Sequence, residues 1–283
     1  MNIKNFESMP QIEEETNERF GRNVEIRATF MRHATKADAS DITGKSLLSK
    51  KGQEESREKG KKLETKEHGI KAYMSPVARA IETADLILEE QEKKGTKVFK
   101  SRKKAELVLW PGSKNLYNEF AKITKENLPA DYDNLREDEK QEVYEKAEDF
   151  AVDWLLYPGE KKFDTESASP YEIAVGISKL VDRYIKMSDR LYSGSSVDLL
   201  NVSHKGTFEA FLKEVLLRKN EQGEVVRGFD KIEEIGGALK PAESWELDIR
   251  TDETGKKTIK LHFRGGEFDL DLQKLEELLS SKK

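Results

Sequence analysis

Val24-Glu25-Ile26-Arg27-Ala28-Thr29-Phe30-Met31-Arg32-His33 is an apolar run that ends on two basic side chains. Its apolar residues alternate with Glu25, Arg27 and Thr29, which is the period of a β-strand. In open α/β sheets, ligands bind beyond the carboxyl ends of the strands, where Arg32 and His33 would lie. On this stretch alone, a histidine that merely follows a strand into a loop is the simpler interpretation. A catalytic or binding role for His33 depends on whether the same arrangement occurs elsewhere in the chain.

A second strand with a basic residue near its end is predicted at Ile70–Met74. It runs into Ser75-Pro76, which is a typical helix start with serine as N-cap and proline at the first helical position. Arg79 falls in the first turn of that helix. A helix N-terminus favours anions, so the combination suits phosphate, although an ordinary solvated arginine explains Arg79 equally well.

The pattern appears again at Val197–Val202, an apolar strand that ends on Ser203-His204-Lys205-Gly206. A helix is predicted to begin at Thr207. A strand, a histidine at its carboxyl end and a helix start therefore occur in the same order as at His33. If the strands are parallel, these ends meet at one edge of the sheet.

The composition excludes several classes of protein. The chain has 283 residues, 37% charged and 36% hydrophobic, with a net charge of −5 and both signs interspersed, so no nucleic-acid footprint is indicated. There is no cysteine, which excludes disulfides, thiolate metal sites and a cysteine nucleophile. Residues 1–22 form a charged, helical or frayed lead-in without an apolar h-region, and no window is apolar enough to span a membrane. A cytoplasmic location is therefore expected.

The predicted fold class is α/β, a three-layer α/β/α arrangement with a mostly parallel central sheet, a helical insertion and a C-terminal β-hairpin. Residues 1–283 are interpreted as one domain. The insertion is predicted at about 111–169, as a mostly helical cap that carries substrate preference. The hairpin is predicted from Ser244–Ile249 and Lys257–Arg264, around the turn Asp252–Gly255.

The converging strand ends would supply two imidazoles and two guanidiniums. Guanidiniums hold phosphate oxygens bidentately and neutralise the charge that spreads over them during transfer. A neutral histidine can attack phosphorus, and a second one can donate a hydrogen bond to the equatorial oxygens. A carboxylic acid could supply the proton for the leaving alkoxide.

Four blocks, in order, resemble the motifs of the histidine phosphatase superfamily, also called phosphoglycerate-mutase-like. Met31–Thr35 resembles its Arg-His-Gly signature, and Leu48–Gln53 is similar to its Leu-Thr-x-x-Gly-x-x-Gln element. Met74–Ala84 closely matches its Ser-Ser-Pro-x-x-Arg-Ala-x-x-Thr-Ala block, and Ser203–Gly206 resembles the block of its second histidine. The insertion and the tail carry no such resemblance.

The resemblance implies that His33 is the phosphorylated nucleophile and that Arg32, Arg79 and His204 bind the phosphate. It also places Thr35 beside the phosphate and Glu106 in the position of the proton donor. Two other carboxylates remain available for that last role, Glu119 and Glu166, and Glu106 can equally be a surface residue among basic neighbours.

The sequence departs from the family pattern at Ala34, where glycine is usual. The Trp-Asn and Thr-Gly-Trp elements of the mutases are missing between Ala34 and Leu48, which favours hydrolysis over mutase chemistry. The expected function is therefore a phosphomonoesterase that acts on a small phosphorylated substrate or a phosphoprotein. A mutase, or a catalytically silent phosphate-binding module, is the alternative. No metal or other cofactor is expected, and no signal of oligomeric state is present.

Overall fold

The computed structural model describes residues 19–38, 41, 45–108 and 110–281. The charged lead-in expected at residues 1–22 falls largely outside them. The described residues contain nine strands and seven α-helices, besides short 3-10 turns at Ala105–Leu107, Tyr132–Asn134 and Ile232–Ile235. The strands are β1 Glu25–Arg32, β2 Ile70–Met74, β3 Val98–Lys103, β4 Ser196–Ser203, β5 Leu216–Lys219, β6 Val225–Arg227, β7 Ser244–Thr251, β8 Lys257–Phe263 and β9 Gly266–Leu270. The helices are α1 Lys50–Lys62, α2 Ala78–Lys93, α3 Lys114–Glu126, α4 Glu137–Leu156, α5 Pro170–Ser188, α6 Thr207–Val215 and α7 Leu272–Ser280.

The central sheet is mixed, and the prediction of a mostly parallel sheet is wrong. The strand order is β3-β2-β4-β1-β7-β8-β9-β5-β6. Only the pairings β3–β2, β2–β4 and β4–β1 are parallel, and the other five are antiparallel. The predicted tail hairpin exists as β7 and β8, but it joins the free edge of β1 and extends the sheet. Short connections can only reverse a chain, so the strands they join pair antiparallel.

The sheet carries a hydrophobic core on each face. Phe30 of β1 stacks on Trp245 of β7 at 4.0 Å between ring centroids, in the larger cluster, which contains α5, α6 and α7. Met31, the next residue, belongs to the other cluster with Val202 of β4 and residues of α2. Successive side chains of a strand point to opposite faces, so neighbouring residues of β1 enter different cores.

The helix after β2 begins later than predicted. Val77 is its N-cap, so the first helical residue is Ala78 and the Ser75-Pro76 pair precedes the helix. The Ser75 hydroxyl is instead 2.8 Å from Nε2 of His204. Serine at this position therefore contacts the histidine that follows β4.

Residues 111–169 are mostly helical, as predicted. They contain α3 and α4, which pack against each other. On α4, Phe150 is 50% exposed, while Glu148 and Val152 are buried. None of the helices in the described residues is long and apolar enough to cross a membrane.

Candidate active site

Three neighbouring parallel strands deliver the motif residues to one place. In the ladder, Arg32 of β1 pairs with Ser203 of β4, and Met74 of β2 pairs with Val202. The three strands thus end at the same level. A backbone hydrogen bond also fixes the residue that follows β1, because His33 N donates to Ser203 O at 2.9 Å. The ring centroids of His33 and His204 consequently lie 5.1 Å apart.

The hydrogen bonds of His33 define its tautomer. The Nε–H of Arg79 can only donate, and it lies 2.9 Å from His33 Nε2, which therefore accepts. Nδ1 then carries the proton and donates to Ala34 O at 2.7 Å. Burial, followed by the positive charge of its neighbours, holds the pKa of His33 well below its ordinary value. The imidazole is therefore neutral at neutral pH, with the Nε2 lone pair directed towards Arg79.

The second histidine is oriented by Ser75. The Ser75 hydroxyl accepts from Val77 N at 3.3 Å, and its own proton is thus available for His204 Nε2, at 2.8 Å. In that arrangement Nδ1 of His204 carries a proton, and this buried atom has no hydrogen-bond partner among the described residues. Burial, with Arg79 and Arg32 nearby, also holds the pKa of His204 well below its ordinary value.

Both guanidiniums of the site are buried and held by carboxylates. Arg32 is 5% exposed and donates from Nη1 to Glu145 at 2.6 Å and to Leu239 O at 2.9 Å, and from Nη2 to Glu145 at 3.2 Å. Arg79 is 3% exposed, and its Nη1 lies 3.4 Å from Asp41. These contacts fix the two cations on either side of His33.

Sequence reasoning missed an acidic cluster on α4. Glu145 and Glu148 both contact Arg32, and both also contact Nζ of Lys205, at 2.6 and 3.0 Å. Burial alone would raise the pKa of Glu145, but Arg32 and Lys205 lower it to about 2. A signal was present in the spacing, because residues 145, 148, 152 and 156 follow one helical face into the core.

A cavity of about 170 Å³ opens on these groups. Its charged and polar lining residues are Arg32, His33, Lys36, Asp41, Arg79, Tyr144, Glu148, His204 and Lys205. The rest of its lining is apolar or aromatic and comes from positions 110 to 155. The four positively charged side chains outnumber the two carboxylates in this lining, which suits an anionic ligand.

The cavity lining does not include Glu106, the residue expected as proton donor. Its carboxylate pairs with Arg183 at 2.5 Å. Burial would raise the pKa of Glu106, but its own backbone N–H and Arg183 outweigh that and lower it, the wrong direction for a general acid. The alternatives do not line the cavity either: Glu119 pairs with Lys122 at 3.0 Å, and Glu166 is exposed.

Thr35, expected beside the phosphate, lies on a narrower adjoining space rather than in this cavity. Its hydroxyl donates to the carboxylate of Glu55, at 2.9 and 3.0 Å from the two oxygens. Thr35 O accepts from the backbone N and the hydroxyl of Ser49, at 2.9 and 3.1 Å. These contacts attach the loop after His33 to the start of α1.

The described residues contain no group of three or more histidine, aspartate or glutamate side chains arranged to hold a metal ion. The predicted site residues that meet at the cavity are Arg32, His33, Arg79 and His204. Their arrangement brings two guanidiniums and a neutral imidazole to one cavity, and Nε2 of His33 can meet a bound anion once the Nε–H of Arg79 turns from that nitrogen to the anion.

No family model matches this sequence, and no curated protein matches it. Solved structures do resemble it. One is a phosphoglycerate mutase from Bacillus anthracis, 16% identical, with a TM-score of 0.48, covering 91% of this chain and 98% of that one. Another is a mycobacterial glucosyl-3-phosphoglycerate phosphatase, 15% identical, with a TM-score of 0.44, covering 87% and 97%. A third is a phosphoserine phosphatase from Entamoeba histolytica in complex with 3-phosphoglyceric acid, 14% identical, with a TM-score of 0.46, covering 87% and 95%.

By their names, one of these proteins is a mutase and two are phosphatases. Because every quoted TM-score lies below 0.5 and every identity is 16% or lower, no substrate or residue role is transferred from them.

Proposed function

We propose that this chain is a phosphomonoesterase that acts through a phosphohistidine intermediate on His33. The observation that carries the proposal is the state of that imidazole. It is buried, neutral and fixed in the Nδ1–H tautomer, with Nε2 next to a guanidinium. A neutral imidazole with a positioned lone pair is a competent nucleophile, and an adjacent guanidinium places a phosphoryl group beside it.

In the first step, Nε2 of His33 attacks phosphorus, the ester P–O bond breaks, and the leaving alkoxide takes a proton. In the second step, water attacks the phosphohistidine, the P–N bond breaks, and orthophosphate and the neutral imidazole are regenerated. Arg32, Arg79 and the Nδ1–H of His204 are the donors that stabilise charge on the equatorial oxygens. Splitting the displacement in this way replaces one difficult step by two easier ones.

For the proton of the leaving group, we assign Glu148 in place of Glu106. Glu148 lines the cavity and is 8% exposed. Among the described lining residues the other carboxylate is Asp41; both are ion-paired, Asp41 with Arg79 at 3.4 Å and Glu148 with Lys205 at 3.0 Å, and Glu148 is preferred because it belongs to α4, which also lines the apolar part of the cavity. A general acid must lie within reach of the leaving oxygen, and position takes precedence over the sequence pattern in this choice.

Residues 111–169 form the cap in this proposal, within a single domain of residues 1–283. Helices α3 and α4 supply most of the apolar residues that line the cavity, and α4 also supplies Glu148. The strands would bind the phosphate, and the cap would select the alcohol that carries it. A small phosphorylated substrate fits the size of the cavity better than a phosphoprotein does.

The test is release of phosphate from p-nitrophenyl phosphate, without added metal, by the intact chain and by His33→Ala. His262→Ala is the matched control, because His262 lies on β8 outside the cavity lining. We expect activity in the intact chain and the control, and a loss of at least a thousandfold in His33→Ala. Acid-labile, base-stable phosphate should be trapped on the intact chain only. Equal activity in all three proteins would contradict the mechanism, and phosphate returned to the substrate rather than released would indicate a mutase.

A further inference from the structure

Part of the cavity lining is apolar and is called the apolar wall. Six residues form it, three of them aromatic: Trp110, Leu116, Tyr117, Phe120, Ala121 and Leu155. Most come from α3, and Leu155 comes from α4. A cavity lined by both charged and apolar residues fits a ligand that has a charged group and an apolar group.

The polar atoms of this wall are already bonded to backbone. The Tyr117 hydroxyl donates to Trp110 O. The indole Nε1–H of Trp110 donates to Ala168 O at 3.0 Å. The aromatic residues of the wall therefore offer ring surface to a ligand, and no free donor. Among the polar side-chain atoms of the wall, the Tyr117 oxygen is the one that can still accept, so a sugar or glycerol with several hydroxyls would lose most of its hydrogen bonds to water there, which costs free energy.

The apolar wall begins next to the catalytic end of β4. Gly206 lies two residues after His204, and a Cβ atom on it would be 3.5 Å from Leu155 and 3.7 Å from the ring of Trp110. The wall is thus in contact with the turn that carries the second histidine. A phosphate at His33 and His204 would direct its alcohol group onto this wall.

We propose that the ligand of this cavity is a phosphate monoester whose alcohol carries a single aromatic ring. The proposal names the substrate class and so rests on the proposed function. The cavity of about 170 Å³ has to hold the phosphate as well, so it limits the alcohol to no more than one ring, since a cavity of about 150 Å³ in a protein core is already filled by benzene. Aromatic walls also favour offset or edge-to-face contact with such a ring.

The experiment measures binding separately from turnover, so that the two proposals can fail independently. Affinities for benzylphosphonate and methylphosphonate, which cannot be hydrolysed at the P–C bond, are compared by calorimetry. The proteins are the intact chain, Phe120→Ala and Phe150→Ala. Phe150 is the matched control, since it lies on α4, is 50% exposed and does not line the cavity.

We expect the intact chain and Phe150→Ala to bind benzylphosphonate at least tenfold more tightly than methylphosphonate, and Phe120→Ala to lose most of that preference. Equal affinities for the two phosphonates, including failure to bind either, overturn the proposed ligand class. So does a preference that Phe120→Ala leaves unchanged. Hydrolysis of benzyl phosphate by the same proteins is measured in parallel. Tight binding of benzylphosphonate without any hydrolysis overturns the proposed function and supports the ligand class, whereas hydrolysis without a preference does the reverse.

Discussion

Glu145 accepts hydrogen bonds from both terminal nitrogens of Arg32, at 2.6 and 3.2 Å, and so occupies the fork with which a guanidinium grips phosphate. It also contacts Lys205 at 2.6 Å. A phosphoryl group bound by Arg32 has to share the guanidinium with this carboxylate or displace it. Helix α4 would therefore compete with a bound phosphate for the cation at the end of β1.

We expect Glu145→Gln to bind inorganic phosphate several-fold more tightly, because a neutral amide competes less well for Arg32. The same change should lower the free energy of unfolding by roughly 3 kcal/mol, because Arg32 and Lys205 lose a buried counter-charge. Calorimetry and urea unfolding measure the two effects. Glu142→Gln is the control, since Glu142 is exposed and pairs only with Lys146 among the described ion pairs. Weaker phosphate binding in Glu145→Gln would mean that Glu145 orients Arg32 rather than competing for the ligand.

The two carboxylates considered as proton donor should behave differently when neutralised. Glu106→Gln should retain kcat within about threefold, because Glu106 lies at Arg183 outside the cavity lining. Glu148→Gln should lower kcat by at least a hundredfold for an alkyl ester, which needs a proton on its leaving group. For p-nitrophenyl phosphate, kcat should change little in Glu148→Gln, because the leaving group departs as the anion. A large loss in Glu106→Gln alone would restore the assignment made from the sequence.

The two buried histidines make stability depend on pH. Because their folded-state pKa values lie well below 6.5, the unfolded chain binds protons below about pH 6.5 that the folded chain does not. The free energy of unfolding should therefore fall on acidification below pH 6.5, by at most about 2.7 kcal/mol per pH unit for two sites. Urea unfolding from pH 7.5 to 5 measures this slope, and His33→Gln with His204→Gln should flatten it. An unchanged slope in that double variant would show that other groups cause it.

Glu145 acts in a separate and more acidic range. Its pKa is lowered to about 2, so the stability from its ion pairs is present above about pH 4.5 and is lost as pH falls towards 2. This loss cannot contribute to the slope between pH 7.5 and 5. The two effects can thus be measured apart in one titration.

A methyl group should be tolerated very differently at two helical glycines. In α1, a Cβ on Gly52 would overlap the carbonyl oxygen of Thr35, in the loop that follows His33. We expect Gly52→Ala to lower the free energy of unfolding by about 2 kcal/mol and to reduce kcat by displacing that loop. In α5, a Cβ on Gly176 meets nothing closer than 4.0 Å, so Gly176→Ala should gain about 1 kcal/mol. Thermal unfolding and turnover of both variants check this pair, and a harmless Gly52→Ala would show that the loop can move away.

The positions of His33, Arg79 and His204 could be predicted because they depend on local patterns. Each histidine follows an apolar strand at once, and parallel strands end at a common edge. The surroundings of Glu106 could not be predicted, because they depend on tertiary packing. Its motif position says where it stands in the chain, but the pairing with Arg183 of α5 depends on a helix nearly eighty residues later.

Helical spacing places Glu145 and Glu148 on one face of α4, but the cations that they contact could not be predicted, for a similar reason. The apolar residues of α4 define a broad face, and the rotation of the helix within the cap decides which part of it is buried. Arg32 and Lys205 attract the side of α4 that carries Glu145 and Glu148, so Phe150 remains half exposed. The antiparallel direction of β7 and β8 was predictable, because a short turn joins them. The pairing of β7 with β1 was not, since nothing in the local sequence of either of these two strands specifies its neighbour.

The pairing of β1 with β4 also determines how late in synthesis His33 can reach its position in the folded protein. Thr29 and Asn201 of these strands are hydrogen-bonded although they are 172 positions apart. At roughly 5–20 residues per second, a ribosome needs about 10–30 s to make the chain between them. During that interval β1 is already exposed as an apolar strand, with both edges open. A chain that ends before residue 196 lacks both strands that flank β1, so we expect it to be inactive and prone to aggregate through the open edges of that strand.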